Sequence, residues 1–378
     1  MNRRPLFAAA VLPLVILAAL CVSPRVPAVV DALPDRLRDD MFWRLVEDFS
    51  EPGGYFRSDN LISNEDAYQH VIPALSRRLA PGGVYIGVGP DQNFTYIVAV
   101  RPRMAFIVDI RRQNMLLHLM YKALIELSPD RAALLSRLFS RKRPTSINQA
   151  WSARALFDAY QPETPSGDLF RENLTAMIDR LAREHGFPLS TEDVATLEYV
   201  YRAFYVGGPD MRYSFPRSSA GRWFPSYAEL IMETDTEGEQ HSYLATERNY
   251  QTLRAYELAN LIVPVVGDFG GDKALTSLGR YLRARGAMVT LFYTSNVEQY
   301  LFQTSAWRKF FANVAELPLN DRSTVIRSFF NYGLRYGATA SVRPPGRSAM
   351  LSDSMPGLLA AVRSGHVQRY YDVIERSH

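Results

Sequence analysis

The sequence predicts an α/β fold, a mainly parallel sheet with a large helical insertion between its second and third strands. Three observations lead to it. Apolar runs of strand length alternate with helical periodicity on both sides of one long tract, the pattern of parallel strands joined by crossover helices. That tract, about 115–245, has helical spacing over most of its length. The apolar run opening at Val84 breaks at Gly87-Val88-Gly89-Pro90, and a second run then closes on Asp109, as two buried strands around a short helix would.

Taken in order, Met1-Asn2-Arg3-Arg4 precedes the uncharged run "PLFAAAVLPLVILAALCV", a positive n-region and an apolar h-region. Residues 1–21 therefore predict a signal peptide or a transmembrane anchor, and membrane association through this segment. Arg3 and Arg4 favour an exported, periplasmic domain, whereas Arg25, Arg36 and Arg38 beyond the run favour the cytoplasmic face; both remain open. Cys21 is the only cysteine, and Leu20 stands before it where lipid-attachment signals carry a small residue. Residues 22–40, with three prolines and mixed charges, predict a tether, and the folded domain is expected over 41–378.

Phe42, Leu45, Val46 and Phe49 predict a helix capped by Asp39 or Asp40, and "NEDAYQHVIPALSRRLA" a second one capped by Ser63 or Asn64. Strands follow at 84–89 and 104–109, then the helical tract, with 205–245 irregular or a short hairpin. Strands return at 261–267 and 287–293, separated by a helix that Asp272 opens and Gly286 closes. A helix over 297–314 and a fifth strand in "STVIRSFF" complete the pattern.

Several functions are excluded. Lys and Arg number 43 against 39 Asp and Glu, with no basic block, so no nucleic-acid groove is indicated. The six histidines form no metal-binding pair, so no metal is expected, and neither a Gly-x-Ser-x-Gly elbow nor a phosphate-loop lysine occurs. His118 reads as a packing residue and His241 as part of a solvated loop. The aromatics between Arg202 and Leu230 have two readings, a pocket lining or ordinary packing.

In an open parallel sheet, ligands bind beyond the carboxyl ends of the strands. Glycines there admit a ligand close to backbone, and an acid ending the second strand can accept ribose hydroxyls. Gly87 and Asp109 lie 22 positions apart, the length that turn, helix and strand require. An acid at an open crevice gains little from folding, so removing Asp109 is expected to cost binding and not stability.

This arrangement resembles the class I S-adenosylmethionine-dependent methyltransferases, whose first motif reads acid-x-Gly-x-Gly-Pro/Thr-Gly. Gly87-Val88-Gly89-Pro90 matches the glycine core and Asp109 the ribose acid, while Gly267-Asp268 and Asn296 fall at the third and fourth strand ends. The resemblance implies a Rossmann-like, methyltransferase-like domain binding S-adenosylmethionine at Gly87, Gly89, Asp91 and Asp109. Asp268 or Asn296 would position or deprotonate a small-molecule or other acceptor. Tyr85 replaces the family's first acid, and Asp91 replaces its third glycine, at a position from which it can reach the sulfonium or amino group. Asn296 lacks the Pro-Pro-aromatic sequel of amino-methylating members. The strings "VGPDQNF", "VPVVGDF" and "YTSNVEQYLF" also resemble a bacterial family with no assigned function. The alternative is a non-catalytic exported binding or assembly protein on the same scaffold.

Overall fold

The computed structural model describes residues 32–213, 224–330 and 347–378. Its sheet is built from β1 (Val84–Gly87), β2 (Met104–Asp109), β3 (Ile262–Val266), β4 (Val289–Tyr293), β5 (Thr324–Phe330) and β6 (Ser348–Ser354). Their order is β3-β2-β1-β4-β5-β6, with the first five parallel and β6 antiparallel to β5. Every residue of β1, β2 and β3 is buried. A parallel sheet covered on both faces needs such strands, and for that reason continuous apolar runs rather than alternation mark them in the sequence. Pro264 has no N–H to give a ladder, and it is tolerated within β3 because that strand lies at the sheet edge.

Among the described residues, seven α-helices lie between β2 and β3, from Arg112–Glu126 to Glu247–Leu258. Six of these starts follow from cap chemistry: the side chains of Asp130, Ser152, Ser166, Ser190, Ser226 and Thr246 each accept a first-turn N–H. The helix Arg112–Glu126 is buried on nearly all sides, which places it at the centre of the molecule, packed against β2 and β3.

Among the described residues no helix is long and apolar enough to cross a membrane. The expectation of membrane association, as signal peptide or transmembrane anchor, is corrected on that finding; the run it rested on, residues 5–22, lies outside the described residues. The segment read as a tether is packed at its end. Leu33 and Leu37 are buried, and Leu37 N donates to Ala259 O at 2.9 Å.

Two local readings also change. The helix expected from Asn64 begins only at Ile72, because Pro73 lacks an N–H and is accepted only in a first turn. The helix expected over 297–314 is two, Val297–Gln303 and Trp307–Ala315, broken where Ser305 turns left-handed at φ +61°. In the segment 205–245, read as irregular or a short hairpin, the described residues hold the turn Gly208–Asp210, the short helix Tyr227–Met232 and an antiparallel bridge from Arg212 to Ser226; residues 214–223 of its aromatic stretch lie outside the described residues.

Candidate functional site

A cavity of about 350 Å³ lies at the carboxyl ends of β1 to β4. Gly89, Asp109, Asp268 and Asn296, the first and last more than two hundred positions apart in the chain, line it together. Gly87 and Asp91 do not, and each has a structural reason. A Cβ on Gly87 would stand 1.9 Å from Asn93 Oδ1 and 2.7 Å from the Tyr85 hydroxyl. Gly87 thus makes room for Asn93, which ties the turn together by donating to the carbonyls of Val88, Gly89 and Pro90 and accepting from Tyr85. Gly89 is required for its backbone instead: φ is +80°, and a Cβ there would meet nothing closer than 3.5 Å. Asp91 is buried, accepts from the Tyr243 hydroxyl at 2.9 Å, and is pushed up to about 6 by burial. His118 lies under the turn with Nε2 2.9 Å from Gly89 O, and burial holds it down to about 4, neutral at physiological pH. His241 is half-buried and bound to Asp235 at 2.6 Å, away from the cavity.

Asp109 is not the open-crevice acid that the spacing implied. Its Oδ1 accepts from Arg111 N at 2.9 Å and Nε at 3.1 Å, and its Oδ2 from Arg111 Nη2 at 3.0 Å. Arg111 Nη1 donates to the carbonyls of Ser58 and Asp59, and its guanidinium lies 5.7 Å from the centre of the Phe56 ring. Both side chains are more than 90 % buried. A carboxylate offers about four acceptor positions, so roughly one remains for a ligand.

Asp268 Oδ1 accepts from Gly270 N at 2.8 Å, and Asp268 N donates to Glu51 Oε1 at 2.7 Å. Asn296 begins the helix Val297–Gln303 without a side-chain capping bond. Ser295 and Asn60, both on the cavity wall, have φ of +51° and +49°. Non-glycine residues so placed cost about 1–2 kcal/mol each and concentrate at working sites.

Glu65 is a cavity residue that the sequence did not single out, as are Gln92 and Arg111. It sits ahead of the helix that starts at Ile72, 1 % exposed, and accepts from Tyr293 Oη at 2.6 Å and from the Ser295 hydroxyl. Burial pushes it up to about 7, against the opposing pull of those hydroxyls. A raised acid holds its proton in the folded state after the unfolded chain has released it. Its contribution to stability is therefore lost as pH climbs from about 4.5 to about 7. Glu65→Gln should then be more stable than the native chain at pH 8, by on the order of 2–3 kcal/mol, and equal to it near pH 4.5. Urea unfolding of both at the two pH values measures this; equal differences at both would show an acid that does not titrate abnormally.

A family described as a domain of unknown function, DUF7790, matches residues 60–343. The chain belongs to that family. The DUF7790 span contains Glu65, Gly89, Gln92, Asp109, Arg111, Asp268 and Asn296, and so most of the cavity's polar wall. No curated protein matches the chain.

Proposed function

We propose that the cavity binds an adenosyl ligand, on a Rossmann-like, methyltransferase-like sheet. The observation that carries this reading is the convergence of Gly89, Asp109, Asp268 and Asn296 on one cavity beside β1 and β4, where the strand order reverses. Ligands of open α/β sheets bind at that point, and the cavity volume lies in the ~300–1,000 Å³ range of small-molecule sites.

The residues fit such a ligand in part. Asp109 retains an acceptor position for one ribose hydroxyl, and Gly89 leaves backbone accessible. Asp91 faces Tyr243, so it does not take the sulfonium or amino end. S-adenosylmethionine, when bound, supplies an electrophilic methyl group. The chain's own part would be to orient an acceptor with Asp268 and Asn296 and to take its proton on Asp268 or Glu65, the latter poised near neutral pH.

Titration calorimetry with adenosine, S-adenosylhomocysteine and NAD tests the reading. The wild type is expected to bind at least one. In Gly89→Val the binding should weaken at least tenfold, because a branched residue is held in a left-handed backbone on the cavity wall. Failure of folded wild type to bind any of the three ends the proposal.

A further inference from the structure

The floor of the cavity has a carbonyl acceptor without a partner among the described residues. Tyr293 has one hydroxyl proton and donates it to Glu65 Oε2, so its oxygen accepts from Gln92 Nε2 at 2.9 Å. That order sets the Gln92 amide, with Nε2 toward Tyr293 and Oε1 left over. Gln92 is 5 % exposed, lines the cavity, and its Oε1 has no hydrogen-bond partner among the described residues. Native buried carbonyls almost always have one.

The charge balance points the same way. Among the described residues the cavity holds three acids, Glu65, Asp109 and Asp268, against one base, Arg111, which is engaged by Asp109. Its walls include Phe56 and Tyr300, packed edge to face at 5.4 Å, with Tyr55 and Tyr213 also lining it. Aromatic faces attract organic cations, and an anionic floor beneath them completes such a site.

We propose that the cavity takes an organic cation, a protonated primary or secondary amine whose N–H groups are donated to Glu65 and to Gln92 Oε1. This names a substrate class for the cavity of the adenosyl reading. It rests on that reading only in treating the cavity as a binding site, since its residues are Glu65 and Gln92 rather than Asp109.

The test is titration of the full chain at pH 8 with n-butylamine and 1,4-diaminobutane, at constant ionic strength, with n-butanol and butyrate as uncharged and anionic controls. Thermal unfolding and calorimetry give the readouts. The amines should bind saturably and the controls should not. Glu65→Gln keeps the shape of the acid and removes its charge, and Gln92→Met removes the free carbonyl; a tenfold loss of amine affinity in either supports the site. No saturable amine binding by wild type, an equal response to n-butanol, or unchanged affinity in both variants overturns it. Amine binding without adenosine binding would uphold this inference and end the adenosyl reading, and the reverse result would do the opposite.

Discussion

Replacing Arg327 by Met is expected to destabilise the fold by about 3–5 kcal/mol, the cost of leaving one partner of a buried ion pair alone. Arg327 stands on β5 and Glu298 in the helix Val297–Gln303, and both side chains are 1 % exposed. The guanidinium donates from Nε to Glu298 Oε2 at 2.6 Å, and from Nη1 to the Ser377 hydroxyl near the carboxyl terminus. Without it, the Glu298 carboxylate keeps, among the described residues, the Thr294 hydroxyl at 3.1 Å. A loss of that size is a large fraction of the ~5–15 kcal/mol by which domains are stable. The double replacement Arg327→Met with Glu298→Met should recover most of it, since the charge left behind, and not the lost contact, sets the cost. Urea midpoints at unchanged slope measure both. A single variant within 1 kcal/mol of wild type, or a double variant as unstable as the single, would show that the pair is not buried as described.

Asp109→Ala is expected to lower stability by about 3 kcal/mol and adenosine affinity by one to two decades. The two effects have different causes. Stability falls because Arg111 keeps its bonds to Ser58 O and Asp59 O but loses its counter-charge while buried. Affinity falls because the ribose acceptor is gone. Adding Arg111→Met to Asp109→Ala should restore most of the stability and none of the affinity. If the single variant unfolds at the wild-type urea concentration, the pair contributes nothing to the fold; if the double variant regains adenosine, Asp109 is not a ligand contact.

The strands and the turn were legible because burial on both faces leaves a mark within each short segment. Val84–Gly87, Met104–Asp109 and Ile262–Val266 are wholly buried, and they fall within the runs 84–89, 104–109 and 261–267 that predicted them. β6 left no such mark: three of the seven residues in Ser348–Ser354 are Ser, and only Ser348 and Met350 are buried. The single helix expected over 297–314 failed because its apolar spacing continues across Ser305, where the backbone reverses.

By itself the sequence determined the α/β class, the helical insertion, and the meeting of Gly89, Asp109, Asp268 and Asn296 at the strand ends. Each depends on residue spacing along one strand, turn or helix, and spacing is local. Tertiary structure alone decided how those residues are used. Glu65 reaches Tyr293 and Ser295 from 228 and 230 positions away, and Arg111 is held by backbone carbonyls more than fifty residues earlier. A hydrogen bond between distant segments has no period in the chain, and a carboxylate's protonation and availability are set by whatever the fold packs around it.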